Sequence, residues 1–201
     1  MFNEIISWIS GNYIELFGAA SGLVYIILSI RQNIWLWPLG FITSAIYIYV
    51  FYLTRFYADM GLQFYYLFIS IYGWIYWRKG NSKDKITSET KIARLNIKAF
   101  LVYLFINAIL FVFIAYILIH YTDSDLPWWD SFTTSTSIIA TYMLARKVLE
   151  HWILWIIVDS VSAGLYLYKD LYPTVVLFII YTILAIMGFF EWKRDYKNQK
   201  K

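Results

Sequence analysis

Seven long apolar segments constrain the fold of this chain more than any other feature of its sequence. About 20 helical residues cover the roughly 30 Å hydrocarbon core of a bilayer, so each segment is long enough to cross it. A water-soluble fold of 201 residues cannot hide a composition that is 61% hydrophobic and 22% aromatic. The sequence therefore predicts an all-α membrane protein with seven transmembrane helices, near 13–30, 34–53, 60–77, 99–120, 128–145, 149–168 and 173–192.

One long hydrophilic loop divides the chain into two halves. The turn-forming run from Gly80 to Ser82 marks the boundary after the third helix. Each half then holds three helices, and one further helix links them. The predicted units are an interfacial N-terminal segment 1–12, a first three-helix repeat 13–78, a cytoplasmic loop 79–98, a linking transmembrane helix 99–121, a second three-helix repeat 128–193 and a basic cytoplasmic tail 194–201.

The two halves resemble each other when the chain is shifted by 115 residues, which aligns 17–79 with 132–194 without a gap. The matched pairs fall at helix ends and at glycines: Arg31 with Arg146, Trp37 with Trp152, Tyr57 with Tyr172, Tyr66 with Tyr181, Gly73 with Gly188, and Trp77 with Trp192. Because one helix separates the halves, both enter the membrane in the same direction. Parallel three-helix repeats are a transporter architecture, with the substrate site near the midplane where the repeats meet.

The basic residues are distributed unevenly about the seven predicted helices. Fifteen of the seventeen Lys and Arg residues fall on one side: at Arg31, in 78–98, at Arg146 and Lys147, and after Trp192. Positive residues accumulate in cytoplasmic loops, so we predict that the N-terminus is outside and the C-terminus is cytoplasmic. The net charge of +4 is then a topology signal, and nothing in the sequence indicates nucleic-acid binding. The first residues lack a basic region and a small-residue cleavage site, so we expect no cleaved signal peptide.

The sixth segment, 150–169, carries a single carboxylate deep inside an apolar helix. Trp152, Trp155 and Asp159 recur at spacings of three and four, so they share one face of that helix. An ionisable group near mid-membrane is costly and usually faces a bundle interior or a wet cavity. Two indoles beside an anion suit a flat, positively charged ligand, through stacking and cation–π attraction. In the shifted alignment Asp159 meets Ser44, so the predicted site is specific to the second half.

Each of these residues also has a plainer interpretation. Both tryptophans can be packing residues, and Asp159 can pair with a neighbouring polar group. Tyr66, Thr136 and Ser137 either line the path of a substrate or join one helix to another. At the cytoplasmic end, Glu150 and Arg146 form a candidate gate, whereas Arg146 is also explained by membrane orientation alone.

The sequence lacks the residue patterns of most enzymes. It has no cysteine and only two histidines, and it contains no phosphate-binding, dinucleotide-binding, zinc-protease or nucleophile-elbow motif. We therefore expect no catalytic residues, no metal site and no cofactor. Ion-driven transport usually recruits several membrane carboxylates, whereas this chain shows one deep acid. Passive, substrate-selective passage is the favoured interpretation.

Long sequence blocks resemble one family over essentially the whole chain. They are WLWPLG at 35–40, FYADMGLQFYY at 56–66, YGWIYW at 72–77, TSIIATYMLARKVLEHWILWIIVD at 136–159 and LYLYKDLYPT at 165–174. These blocks resemble the PnuC family of vitamin-precursor transporters, which is similar in fold to the SWEET sugar transporters. The resemblance implies a 3+1+3 arrangement: two parallel three-helix bundles joined by a linking helix.

The resemblance implies facilitated diffusion of nicotinamide riboside across the bacterial inner membrane, with a cytoplasmic kinase trapping the substrate by phosphorylation. The family motif WxxWxxx[N/D] maps onto Trp152, Trp155 and Asp159, and the glutamine of the third helix maps onto Gln63. The aromatic residues are then expected to hold the pyridinium ring, and Asp159 and Gln63 to bind polar groups. Members of the family are reported as trimers, which implies a homo-oligomer.

The substrate stays open between two flat cations at this point. Family members that carry nicotinamide riboside often have Asn where this chain has Asp159, and a close branch carries thiamine. Nicotinamide riboside is the first hypothesis and thiamine uptake the alternative. A membrane receptor that binds the ligand without moving it, and an intramembrane enzyme, are two further hypotheses. The absence of a signalling domain and of a paired acid or base argues against them.

Overall fold

In a computed structural model, residues 13–54, 57–79 and 90–200 are described, and they form seven helices and no strand. The helices are α1 (Tyr13–Ile30), α2 (Leu36–Thr54), α3 (Tyr57–Lys79), α4 (Ile97–Tyr121), α5 (Pro127–Ala145), α6 (His151–Tyr168) and α7 (Tyr172–Asn198). The predicted all-helical fold is confirmed. The predicted interfacial segment 1–12 and loop residues 80–89 lie outside the described residues. The predicted tail 194–201 is not a separate segment, because α7 continues through it to Asn198.

Local signals explain where several of these helices begin and end. The Asn96 side chain accepts a hydrogen bond from the Ala99 amide at 2.8 Å and so caps α4. Pro127 begins α5, in a position where the missing amide hydrogen costs nothing. Gln32 and Lys147 follow α1 and α5 with φ angles of 51° and 52°, a left-handed conformation that turns the chain back toward the next helix.

The six helices of the two repeats form a closed ring. Within the repeats α1 packs on α2 and α2 on α3, and likewise α5 packs on α6 and α6 on α7. Between the repeats α1 packs on α7, and α3 packs on α5. Among the described helices α4 packs against α5 alone, as expected of a linking helix outside the ring. The predicted arrangement of two parallel three-helix repeats is therefore confirmed.

Equivalent tryptophans join each repeat to the other at one end of the ring. The indole nitrogen of Trp77, on α3, donates to the Ala145 carbonyl of α5 at 3.1 Å. The indole nitrogen of Trp192, on α7, donates to the Ser29 and Ile30 carbonyls of α1 at 3.0 and 3.2 Å. Position 145 is the equivalent of position 30 after the shift of 115 residues. These contacts obey a pseudo-twofold axis, as the sequence repeat predicts.

The same axis passes between Gln32 and Lys147, which occupy equivalent positions. The ammonium of Lys147 donates to the Gln32 side-chain oxygen at 3.2 Å and lies 4.5 Å from the centre of the Trp77 ring. The Gln32 amide in turn donates to Asp195 on α7 at 2.8 Å. We call this end of the ring, where α1, α3, α5 and α7 finish, the basic end.

Four of the described helices are long and apolar enough to cross a membrane by length and composition: α2, α4, α6 and α7. In α1 the stretch Leu16–Ile30 is a shorter apolar helix. Helices α3 and α5 fall short because they carry polar side chains, such as Gln63 and Ser70 in α3 and Thr136 in α5. Their outer surfaces are nonetheless apolar, with Phe68 64% exposed on α3.

Candidate functional site

A cavity of about 350 Å³ lies inside the ring of six helices. Five of the six helices supply its walls, and α2 supplies none. The lining residues are Gly22, Tyr25, Ile26 and Ser29 of α1; Leu62 and Tyr66 of α3; Thr133, Thr134, Ser137 and Leu144 of α5; Trp152, Trp155, Val158, Asp159 and Ser162 of α6; and Phe178 and Tyr181 of α7. The cavity therefore lies where a substrate site was expected, between the repeats.

Asp159 is the acidic residue in the wall of this cavity, and its side chain is almost fully buried, at 4% exposure. Within residues 13–54, 57–79 and 90–200 its carboxylate has neither a hydrogen bond nor a salt bridge. The phenols of Tyr66 and Tyr181 line the same cavity. A buried charge without a partner is costly, so this carboxylate favours a cationic ligand beside it.

The indoles predicted on the same helix face line the same cavity. Trp152 is 1% exposed, because its ring lies against Gly188 of α7 and edge-on to Trp192, with centroids 5.8 Å apart. Trp155 is only partly buried, one turn closer to Asp159. The packing fixes Trp152 as a rigid wall, while Trp155 presents ring surface to the cavity. The predicted grouping of Trp152, Trp155 and Asp159 matches this geometry.

Only some of the other predicted site residues line the cavity. Tyr66 and Ser137 line the cavity, from α3 and α5 respectively. Gln63 and Thr136 are not among the lining residues. The Thr136 hydroxyl is buried, with no hydrogen-bond partner in the described part of the chain. Their binding roles remain predictions.

Sequence reasoning missed part of the cavity wall, including every lining residue of α1. Tyr25 and Ser29 belong to a largely apolar helix. Its sequence has no polar stripe that would have marked these two residues as facing an interior. A methyl group at Gly40 of α2 would lie 3.0 Å from the Tyr25 ring, so this glycine makes room for Tyr25. Tyr181 had a usable signal, because the repeat aligns it with Tyr66.

A short extended segment, 90–96, crosses the basic end and is held by the connection between α5 and α6. We call this segment the strap. The Ala93 amide donates to the Lys147 carbonyl, and the Leu149 amide donates to the Ala93 carbonyl, both at 2.9 Å. At its N-terminal side, the Ile92 amide donates to the Gln199 side chain at 3.1 Å. The strap thereby ties the connection between α5 and α6 to the end of α7.

The candidate gate residues take part in different contacts at this end. Glu150 accepts hydrogen bonds from the Arg94 guanidinium and the Leu95 amide of the strap, both at 2.9 Å. Arg146 donates to the Tyr72 hydroxyl at 3.2 Å and lies 4.9 Å from the centre of the Tyr76 ring. The hydrogen bond to Glu150 raises the pKa of Arg94, and the hydrogen bond to Tyr72 raises the pKa of Arg146. Both guanidiniums therefore stay charged at physiological pH.

No group of three or more His, Cys, Asp or Glu side chains comes together within the described ranges, so those residues offer no metal centre. His151 is fully buried between the rings of Trp152 and Trp192, with Nδ1 2.8 Å from the Val148 carbonyl oxygen. The histidine acts there as a packing residue at the start of α6.

Comparison with known proteins gives a consistent result. The sequence profile of the family described as "Nicotinamide mononucleotide transporter" matches residues 12–194. The nicotinamide riboside transporter PnuC of Escherichia coli K12 is 26% identical, and the alignment covers 90% of this chain and 85% of that protein. The riboflavin/roseoflavin transporter RibM of Streptomyces davaonensis is also 26% identical, over 96% of this chain and 87% of that protein.

A solved structure has the same fold. The crystal structure of the vitamin B3 transporter PnuC matches with a TM-score of 0.76 and 21% sequence identity, covering 98% of this chain and 87% of that one. At this identity the likeness bears on the fold alone. It agrees with the arrangement of helices described above.

Proposed function

Since this chain belongs to the nicotinamide mononucleotide transporter family, and is a membrane transporter for a vitamin-type compound rather than an enzyme, we propose that it takes up nicotinamide riboside. Passage is by facilitated diffusion across the bacterial inner membrane, with the basic end on the cytoplasmic side. The excess of Lys and Arg at that end supports this orientation. Family resemblance also leads us to place the chain in a homotrimer.

One observation carries the proposed substrate class: a buried carboxylate without a partner lies beside an indole in the wall of the cavity. The pyridinium of nicotinamide riboside is flat and permanently positive. Its ring stacks on Trp155, and its charge compensates Asp159, which no protein cation approaches among the described residues. Trp152 forms the rigid wall behind them. A neutral ring would gain the stacking but would leave the carboxylate uncompensated.

The remaining predicted residues have supporting roles in this proposal. Tyr66 and Ser137 offer hydroxyls to the polar groups of the substrate from the opposite wall. Gln63 and Thr136 are assigned to the same site by family resemblance; they lie on the helices that carry Tyr66 and Ser137, outside the cavity wall as it stands.

We place the gate at the basic end. Opening there requires the ends of α1 and α5 to separate, and the contact of Gln32 with Lys147 holds those ends together. Glu150 acts through the strap, and Arg146 through the tyrosines of α3. Inside the cell a kinase phosphorylates the substrate, and the added charge prevents its return. Trapping of this kind makes an ion gradient unnecessary, in agreement with a single deep carboxylate.

Thiamine is the second candidate substrate, because its thiazolium is also a flat, fixed cation and fits the same observation. A flavin, the cargo named for the RibM relative, is uncharged and does not compensate Asp159. The affinities of the three ligands therefore show whether the charge of the ligand or the size of its ring system governs binding.

The decisive experiment is isothermal titration calorimetry of the purified protein with nicotinamide riboside, thiamine, riboflavin and uncharged nicotinamide. We expect nicotinamide riboside to bind most tightly, and Trp155→Ala to weaken it at least tenfold. Trp35→Ala is the matched control, because Trp35 is 63% exposed and does not line the cavity. Tight thiamine binding without a response to nicotinamide riboside would transfer the assignment to thiamine. Binding of riboflavin alone would refute both.

Transport is tested in liposomes that contain the purified protein. Labelled nicotinamide riboside should equilibrate across the membrane without an ion gradient and stop at equal concentrations inside and outside. With a nicotinamide riboside kinase and ATP enclosed, the label should accumulate. Binding without any uptake in either case would indicate a receptor and contradict the proposal.

A further inference from the structure

The two repeats each present one tyrosine to the cavity. Tyr66 on α3 and Tyr181 on α7 are equivalent in the shifted alignment, and both line the cavity. Asp159 lines the same cavity, so its carboxylate shares the wall with two hydroxyl groups that the pseudo-twofold axis relates.

The residues that face these two tyrosines differ. Tyr66 lies on α3, and the Ser137 side chain lines the same cavity from α5. Tyr181 faces Gly22 of α1, where an added methyl group would overlap the phenol oxygen. Positions 22 and 137 are themselves equivalent after the shift of 115 residues. The symmetry is thus broken by the loss of one hydroxymethyl group, at a point in the cavity wall.

This difference changes what each phenol can do. On the Tyr66 side, α5 contributes the Ser137 hydroxyl to the cavity wall. The Tyr181 hydroxyl has no hydrogen bond within the ranges 13–54, 57–79 and 90–200, although its residue is partly buried. A phenol both donates and accepts, and a hydroxyl shielded from water is stabilised when it finds a partner. Gly22, which has no side chain, makes room for the phenol oxygen of Tyr181 itself.

We propose that Tyr181, whose phenol oxygen is accommodated by Gly22, is a specificity-determining residue that hydrogen-bonds a hydroxyl group attached to the aromatic cation in the cavity. The proposal rests on the proposed function, because it needs the ring of the substrate held at Trp155. It assigns the ligand class more narrowly: a flat cation that carries a neutral hydroxyl within reach, such as the ribose of a nucleoside. A cation without that substituent gains nothing from Tyr181.

The first test compares two ligands by calorimetry: nicotinamide riboside, and 1-methylnicotinamide, which has the same cation without the sugar. We expect Tyr181→Phe to weaken nicotinamide riboside about three- to tenfold, the loss of one hydrogen bond, and to change 1-methylnicotinamide less than twofold. Tyr47→Phe is the control, since Tyr47 contacts Gly18 one turn away on α1 and does not line the cavity. Equal losses for both ligands, or no loss for nicotinamide riboside, would overturn the proposal.

The second test uses nicotinamide riboside alone and does not depend on how tightly the shorter ligand binds. Gly22→Ala displaces the Tyr181 hydroxyl, so it should weaken binding when Tyr181 is present. In the Tyr181→Phe background the hydroxyl is gone, and the same substitution should have a smaller effect. Gly18→Ala, with the equivalent contact to Tyr47, should leave affinity unchanged. Equal effects of Gly22→Ala in both backgrounds would contradict the proposal.

The variant Trp155→Ala distinguishes a failure of the proposed site from a failure of the proposed role of Tyr181. If it leaves the affinity for nicotinamide riboside unchanged, the proposed site itself fails. If it abolishes binding while Tyr181→Phe and Gly22→Ala have no effect, only the role of Tyr181 fails.

Discussion

At the scale of single residues, our proposal for what the cavity holds depends on Asp159. Its side chain is buried, and within the described residues it has no hydrogen bond or cation to compensate it. In the unliganded protein this arrangement is destabilising, and a bound cation relieves it. The residue therefore couples ligand charge to the stability of the fold, and the two effects can be measured separately.

We predict that Asp159→Asn weakens nicotinamide riboside about thirtyfold or more, because losing one partner of a buried charge pair costs about 2–5 kcal/mol. The same substitution should raise the thermal stability of the unliganded protein, because the amide carries no charge. Calorimetry and thermal unfolding measure the two quantities. Asp130→Asn is the control, since Asp130 lies in the first turn of α5 and does not line the cavity. An unchanged affinity would show that Asp159 does not contact the cation.

At the scale of helices, α6 and α7 pack closely because Gly188 of α7 has no side chain to separate it from the Trp152 ring of α6. A methyl group at Gly188 would lie 2.6 Å from Cη2 and Cζ2 of Trp152. The same contact joins Gly73 of α3 to Trp37 of α2 in the first repeat, where it lies outside the cavity wall. The protein thus contains one packing motif twice, once in the cavity wall and once as structure only.

Gly188→Ala and Gly73→Ala should therefore lower stability by similar amounts, about 1–3 kcal/mol, because both overpack a rigid indole. Only Gly188→Ala should also weaken nicotinamide riboside, since it displaces Trp152. Thermal unfolding and calorimetry on the two variants distinguish these effects. An equal loss of affinity in Gly73→Ala would show that general destabilisation of the fold, and not displacement of Trp152 in the cavity wall, weakens binding in Gly188→Ala.

The strap is an element that no periodic pattern predicts. Its position depends on backbone pairing with 147–149 and on Glu150, which are distant in sequence. We predict that Glu150→Gln loosens the strap, because the glutamine keeps only one of the two hydrogen bonds that Glu150 accepts from it. Trypsin should then cleave after Arg94 about three- to tenfold faster. Limited proteolysis measures the rate. Glu191→Gln, which loses a surface pair with Arg194 on α7, should change it little, and an equal increase there would refute the role of Glu150.

Sequence alone determined much of this element-scale organisation, for physical reasons. The seven helices follow from the lengths of the apolar segments, and the face of α6 follows from helical spacing around one costly carboxylate. Tyr25 and Ser29 escaped prediction because a membrane helix is apolar all round and shows no stripe toward an interior. The strap escaped because its partners come from the α5–α6 connection and the end of α7.

At the scale of the whole molecule, the two repeats are joined at the basic end by equivalent hydrogen bonds from Trp77 and Trp192. Both indoles are buried, and each acceptor lies at the end of the first helix of the other repeat. The two repeats are therefore joined by the same kind of indole-to-carbonyl hydrogen bond on both sides of the axis. Motion of one repeat against the other has to change both contacts.

We predict that Trp77→Phe and Trp192→Phe each destabilise the protein by about 1–3 kcal/mol, because each leaves a buried carbonyl without its donor. The two losses should be similar, since the contacts are equivalent. Thermal unfolding measures them, with the exposed Trp35→Phe as the control. A large loss in one variant and none in the other would mean that the repeats are not joined symmetrically.

The one-sided attachment of α4 has a consequence for chain connectivity. Because α4 packs on α5 alone among the described helices, the ring of six helices closes without it. Helix α4 then acts as a tether: it raises the effective concentration of one half near the other, and contributes little to their mutual packing. Two half-length genes, one ending within 80–89 and the other beginning there, would by this reasoning still encode a complete transporter when expressed together.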